Sequence, residues 1–212
     1  MTKFLSLGMV GAKTHLVLAH GAGALMTSPF MEAISGHIAS LGIRVHRFEF
    51  DYMAARRQGG ARRSPPKVEV LMGAYADAVE KIVELERPQC LVIGGKSLGG
   101  RVASLVAQDL FLERRISGLV CLGYPFHPPG KPEKLRTAHL ATLRCPALIV
   151  QGTRDPFGTR DEVERYEMSS AVTVRWIEGG GHDLNPPARS GLSVDQSLAI
   201  AAGAVLEFAE KL

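Results

Sequence analysis

The 212-residue chain is poor in cysteine: Cys90, Cys121 and Cys145 are widely spaced, and none stands in a C-x-x-C pair. That odd, scattered set argues against a disulfide framework or a zinc site and for a reducing compartment, so a cytoplasmic location is expected. No run approaches the ~20 apolar residues of a membrane span, and no membrane partner is expected. The first twelve residues are mildly apolar, but Ser6, Gly8 and Gly11 interrupt the stretch that a signal peptide would need. A one-sided charge is also missing. The net charge is +4, and one segment, 51–67, accounts for it: Arg56, Arg57, Arg62, Arg63 and Lys67 stand there against Asp51 alone. A chain otherwise neutral is not a uniformly basic nucleic-acid binder, and the basic segment has no interleaved aromatics beyond Tyr52.

What is present is an ordinary globular balance, 46% apolar and 22% charged residues, in a length that fits one domain over residues 1–212. Glycine is in surplus, 23 residues against about 15 at average usage. The surplus gathers in three places: Gly21 and Gly23; Gly94, Gly95, Gly99 and Gly100; and Gly179, Gly180 and Gly181. Short apolar runs predict strands near 16–19, 45–52, 91–93, 119–122, 147–150 and 172–177. Helical periodicity predicts helices over 29–41, 69–86, 98–112, around 160–168 and over 193–212, with a short one at 133–143 inside the proline-rich segment 123–146. This alternation implies an α/β fold, a doubly wound and mostly parallel sheet of six to seven strands with helices on both faces. In such a sheet the chemistry lies in the loops at the carboxyl ends of the strands.

Those loops carry a consistent set. After the strand at 91–93 comes Gly95-Lys96-Ser97-Leu98-Gly99, a G-x-S-x-G pattern opening a helix. A sharp turn there pushes the serine hydroxyl out of the sheet, over the free N–H groups of the helix start. Serine needs a base to become a nucleophile. Asp155 follows the strand at 147–150, and His182 follows the last strand. The order Ser97, Asp155, His182 suits a serine whose proton passes to an imidazole held by a buried carboxylate. His127 also follows a strand, but it precedes Asp155. Asp161 and Glu162 read as acids of a helix first turn, and Asp183 as a surface carboxylate. The loop His20-Gly21-Ala22-Gly23-Ala24 offers backbone N–H groups for an oxyanion, Ala22 first and Gly23 next, to pair with the N–H of Leu98. His20 is expected to fix this loop by hydrogen bonds.

These residues resemble the α/β-hydrolase superfamily over the whole chain. Within it the sequence is similar to a family of small bacterial α/β-hydrolases, themselves like the hydrolase-like domain of a chromatin-complex (NSL) subunit and of a testis-expressed animal protein. The stretches that carry the likeness are 20–24 (HGAGA), 50–66 (FDYMAARRQGGARRSPP), 94–101 (GGKSLGGR), 122–140 (LGYPFHPPGKPEKLRTAHL) and 151–158 (QGTRDPFG). Dienelactone-hydrolase-type enzymes are a more distant likeness; they use cysteine where this chain has Ser97, so their activity does not carry over. Two departures stand out. The region before the first clear strand leaves little room for the usual antiparallel edge strands, and no large insertion follows Leu122 to form a lid. A shallow, open site is expected.

The expectation is a serine esterase or thioesterase acting on a small soluble acyl substrate through an acyl-enzyme, with no cofactor and no metal. An acyltransferase, and a non-catalytic scaffold that binds a protein partner, are the alternatives. Arg56, Arg57, Arg62 and Arg63 emerge on the same sheet edge as Ser97 and are candidates to bind an anionic substrate group, because guanidinium forks match carboxylate and phosphate. A solvated loop, or one pinned by acids, is the other reading. Tyr124 and Phe126 are candidates for the pocket wall, or for packing of the proline-rich loop. Lys96, beside the serine, is either a bias toward anions or a structural residue.

Overall fold

The computed structural model describes residues 3–57, 59–61 and 64–212. Seven strands form one sheet: β1 (Phe4–Leu7), β2 (Thr14–Ala19), β3 (Arg44–Phe48), β4 (Cys90–Lys96), β5 (Gly118–Leu122), β6 (Ala147–Gly152) and β7 (Val172–Ile177). Their order is β1-β3-β2-β4-β5-β6-β7. All neighbours run parallel except β1, which pairs antiparallel with β3 from Phe4 opposite Phe48 to Leu7 opposite Val45. An edge strand of that kind therefore exists in the short leading region. The helices are α1 (Pro29–Ser40), α2 (Asp51–Arg57), α3 (Val68–Glu86), α4 (Leu98–Leu112), α5 (Arg160–Val163) and α6 (Val194–Ala209).

The central strands are apolar on both faces because helices cover both. In β2, Leu16 and Leu18 point to one side and Val17 to the other, as strand alternation requires. Leu16 and Leu18 join Val92, Val120 and Val150 beneath Ile34 and Ile38 of α1 and Leu198 and Val205 of α6. Val17 joins Ile93, Leu119 and Ile149 against Tyr75 and Val79 of α3 and Val102 and Val106 of α4. Each fully buried aliphatic chain contributes roughly 1.5–3 kcal/mol. Tyr75 adds a polar tie at the sheet centre: its buried hydroxyl lies 2.9 Å from the Val17 carbonyl and 2.6 Å from the Gly94 carbonyl, and accepts from Gly94 N–H at 2.8 Å. Among the described residues no helix is long and apolar enough to cross a membrane.

Three expected elements differ. The strand predicted over 45–52 stops at Phe48, and Asp51 starts α2. An acid in the first turn with Arg56 and Arg57 in the last suits the helix dipole. The helix expected at 133–143 is absent; that stretch runs in successive turns, such as Leu140 N–H to Thr137 O at 2.8 Å, with Leu140 and Leu143 sunk into the core. The helix expected around 160–168 is only the four residues of α5, closed by a Thr159/Glu162 capping box.

Candidate active site

Ser97 sits between β4 and α4 with φ 52° and ψ −114°, a backbone region that L-residues rarely occupy. The turn is that tight because the neighbouring backbones touch. A Cβ on Gly99 would fall 2.6 Å from both the Ala19 and the His20 carbonyl oxygens, and one on Gly95 would fall 2.4 Å from the Gly99 carbonyl carbon. The Ser97 N–H is anchored to the Leu122 carbonyl at 3.0 Å.

Asp155 follows β6 and is fully buried. Its Oδ1 accepts from Phe157 N–H at 2.9 Å, and its Oδ2 accepts from Gln151 Nε2 at 2.9 Å. Gln151 is itself buried; its Oε1 accepts from Tyr124 N–H at 2.7 Å. His182 is brought over from the turn after β7, where the Gly180 and Gly181 carbonyls press on Gly152 so closely that a Cβ there would lie within 2.4 Å of them. The His182 Nδ1 lies 2.8 Å from Asp155 Oδ2, and its Nε2 lies 2.8 Å from Ser97 Oγ. A carboxylate only accepts hydrogen bonds, so Nδ1 carries the proton and Nε2 is left to accept from the serine hydroxyl. The Phe157 ring covers the imidazole at 4.2 Å between centroids.

The loop after β2 is pinned from behind. Phe50 N–H donates to His20 Nε2 at 3.1 Å, and His20 Nδ1 then donates to the Gly21 carbonyl at 2.7 Å. Tyr52 donates to the Ala22 carbonyl at 3.0 Å and Arg56 to the Gly23 carbonyl at 3.1 Å. Arg57 pairs with the buried Glu49 at 2.8 Å, and Glu49 also accepts from Met26 N–H at 3.2 Å. In a trans peptide the N–H points opposite to the carbonyl, so with the Gly21 and Ala22 carbonyls held by His20 and Tyr52 the N–H groups of Ala22 and Gly23 face the other way. Among the described residues Ala22, Gly23 and Leu98 donate their N–H groups to no protein acceptor. A Cβ on Gly23 would meet open space.

A cavity of about 540 Å³ opens in front of Ser97 and His182. Its walls are mostly apolar: Ala22, Ala24, Pro29, Phe30, Met31 and Phe157, with Lys96 and Asp183 at one side. Lys96 is buried beneath the Phe30 ring, with Nζ 5.4 Å from its centroid and 3.2 Å from Asp183 Oδ1. Burial pushes the Lys96 ammonium below its ordinary pKa, and Asp183 works against that shift.

The structure thus brings together Ser97, Asp155, His182, Leu98, Ala22 and Gly23. The other described candidates do not line the cavity. Tyr124 and Phe126 are fully buried and pack on each other behind Gln151, so they belong to the core and not to the pocket wall. Arg56 and Arg57 are engaged with Gly23 and Glu49 and brace the loop. Arg62 and Arg63 lie outside the described residues. Gln151, Phe30 and Phe157 escaped the sequence reading. A glutamine ending an otherwise apolar strand run, four residues before Asp155, was the available signal for the first; nothing local marked the two phenylalanines.

A set of metal-type ligands lies elsewhere, at the opposite ends of β2 and β3: ligand atoms of His15, His46 and Glu86 fall within 4.8 Å of one another. They are already engaged. His46 Nε2 lies 2.9 Å from His15 Nδ1, His15 Nε2 lies 2.9 Å from the Ala12 carbonyl, and Glu86 pairs with Arg44 at 3.1 Å.

Known proteins share this architecture. A serine hydrolase homologue from Coxiella burnetii superposes with a TM-score of 0.72 at 16% identity, over 97% of this chain and 89% of its own. A dienelactone hydrolase from Anabaena variabilis gives 0.74 at 17% identity, over 98% and 90%. A serine hydrolase without lid from Xanthomonas campestris gives 0.62 at 15% identity, over 99% and 94%. At such identities the likeness is one of fold. The family model described as an alpha/beta hydrolase domain matches residues 12–210. The doubly wound sheet, with its strand-to-helix turn at Ser97, is that of an α/β-hydrolase, and the chain belongs to the alpha/beta hydrolase domain family.

Proposed function

We propose that the protein is a serine hydrolase that cleaves an ester-type bond in a small, mainly apolar acyl substrate. The observation that carries this reading is the pair of 2.8 Å contacts from His182, one to Ser97 Oγ and one to Asp155 Oδ2. His182 Nε2 takes the hydroxyl proton as Ser97 attacks the substrate carbonyl. Asp155 holds the imidazole in the productive tautomer and stabilises the cation that forms. The oxyanion rests on the spare N–H groups of Ala22 and Leu98, with Gly23 beside them. His182 then protonates the leaving alcohol or thiol, and water, activated by the same imidazole, releases the acid.

The apolar walls support an uncharged acyl group, and about 540 Å³ suits a small molecule. The braced arginines withdraw support from an anion bound by Arg56 or Arg57. The test is hydrolysis of 4-nitrophenyl acetate and butyrate by the wild type and by Ser97→Ala. Turnover that is lost with the hydroxyl is expected; equal turnover by both proteins would refute the reading.

A further inference from the structure

Two buried histidines, His15 and His46, stand on neighbouring strands at the end of the sheet away from Ser97. In the parallel register of β2 and β3, Val17 lies opposite His46 and His15 opposite Arg44. Strand alternation therefore puts His15, Val17, Arg44 and His46 on one face, the face that α3 covers. Glu86 is the last residue of that helix. Ser6 of β1 stands opposite His46 in the antiparallel register. The topology alone gathers two imidazoles, a carboxylate and a hydroxyl.

Their hydrogen bonds have a direction. The Ala12 carbonyl only accepts, so the neutral His15 ring carries its proton on Nε2 and keeps a lone pair on Nδ1. That lone pair faces His46 Nε2 at 2.9 Å, which donates to it. His46 Nδ1 is left to accept from the Ser6 hydroxyl at 2.8 Å. A single proton thus lies between the two rings. One nitrogen from each ring and one Glu86 oxygen fall within 4.8 Å of one another. Glu86 is held by one oxygen only: Arg44 Nε and Nη2 both donate to Oε1, at 3.2 and 3.1 Å. Among the described residues no hydrogen bond reaches Oε2.

We propose that His15 Nδ1, His46 Nε2 and Glu86 Oε2 bind a divalent transition-metal ion, Zn²⁺ by preference, in place of the proton between the rings. Two imidazoles and a carboxylate suit zinc, with water as the fourth ligand from the side of the half-exposed Glu86; imidazole does not suit Mg²⁺ or Ca²⁺. Binding needs one tautomer change and no net loss of a proton. His46 carries its proton on Nδ1 in place of Nε2 and donates it to Ser6 Oγ, while the exposed Ser6 hydroxyl turns its own hydrogen to water. His15 already holds the tautomer that a metal requires. Each ring then donates its outer N–H to an oxygen, of Ala12 or of Ser6, and Arg44 holds the carboxylate. Such outer partners orient the ligands of metal centres. Nitrogens on one tetrahedral zinc stand roughly 3.3 Å apart, so rings now at 2.9 Å part only slightly. The Arg44 charge opposes the ion and is offset by Glu86. The ion would tie β2 and β3 to the end of α3, and its binding does not depend on Ser97 being a nucleophile.

The test uses the full chain without an affinity tag, stripped by a chelator and titrated calorimetrically with ZnCl₂. One saturable equivalent is expected, and none with MgCl₂. Glu86→Gln keeps an oxygen for Arg44 and gives up the ligating charge. It and His46→Gln should each weaken zinc binding by at least about tenfold, since the loss of an outer partner alone does as much. His37→Gln, which removes a histidine paired with Asp195 elsewhere, should leave it unchanged. Nitrogen-resolved proton NMR gives a second readout, one that a merely structural hydrogen bond would not move: the His46 ring proton passes from Nε2 to Nδ1 on addition of zinc. No saturable zinc binding to the wild type would overturn the proposal. So would undiminished binding to folded Glu86→Gln, or a His46 proton that stays on Nε2 at saturation. Glu86→Gln, at a helix end, decides the matter if His46→Gln does not fold.

Discussion

Lys96 Nζ lies 3.2 Å from Asp183 Oδ1, so the residue before Ser97 and the residue after His182 are joined by an ion pair. The pair is unequal. Lys96 is buried, whereas the Asp183 side chain is 67% exposed. Asp183 can regain water when the pair breaks; Lys96 cannot.

That asymmetry orders two variants. Asp183→Asn leaves an ammonium buried without its carboxylate, which costs on the order of 1 kcal/mol after allowance for the exposed partner. Lys96→Met keeps the apolar stem beneath Phe30 and removes both the charge and its desolvation. We therefore expect Asp183→Asn to be the less stable of the two in urea denaturation. The reverse order would mean that the buried ammonium does not depend on Asp183 for its neutralisation.

Asp155→Asn tests the role of the buried carboxylate. An amide in its place can present N–H to His182 Nδ1 and favour the tautomer that carries its proton on Nε2, the wrong one for accepting from Ser97. A loss in kcat of about 10³–10⁴-fold is expected, with the near-ultraviolet spectrum of a folded protein. A loss of less than tenfold would leave Asp155 as a turn residue only.

Much of this was legible in the sequence, because the loops that follow strands are labelled by their own chemistry. The turn at Ser97 needs glycine where backbones meet, and Gly95 and Gly99 stand there. Other parts were not legible, for physical reasons. Arg56 and Arg57 are charged and sit in a loop-like stretch, which reads as substrate binding; only the fold shows that their partners are the Gly23 carbonyl and Glu49. Tyr124 and Phe126 follow a strand as pocket residues do, yet they turn inward to cover Gln151. Phe30 reaches the cavity from the first turn of α1 and Phe157 from the loop after β6, a meeting that no local pattern encodes. In the early loop Gly23 has room for a side chain, so packing within the chain does not demand glycine there.

Tyr75→Phe removes one hydroxyl from between β2 and β4, just before the turn at Ser97. Gly94 N–H would lose this acceptor, and the carbonyls of Val17 and Gly94 the one hydroxyl hydrogen that they share. A destabilisation of about 1–3 kcal/mol is expected for polar groups left unmet in the core. A change under about 0.5 kcal/mol in the unfolding free energy would show that the strands close over the gap.

The linked histidines at the far end of the sheet make stability depend on pH. Burial, aided by His15, lowers the His46 pKa from 6.5 to about 4, and burial also lowers His15. The unfolded chain then binds protons more readily, so the contribution is complete above about pH 6.5 and is lost as pH falls toward 4. For His46 alone the loss reaches up to about 3 kcal/mol at the acid end. Urea midpoints at pH 7.5 and 5 should fall further for the wild type than for His46→Gln. Parallel falls would locate the acid sensitivity elsewhere.

If Ser97 is a nucleophile activated by His182, it reacts with an electrophile that ordinary serines ignore. Treating the folded protein at neutral pH with a fluorophosphonate and locating the adduct by mass spectrometry reads that reactivity out. One stoichiometric adduct on Ser97 is expected, absent from Ser97→Ala and strongly slowed in His182→Ala. No adduct on the folded wild type, or one that persists in Ser97→Ala, would contradict it.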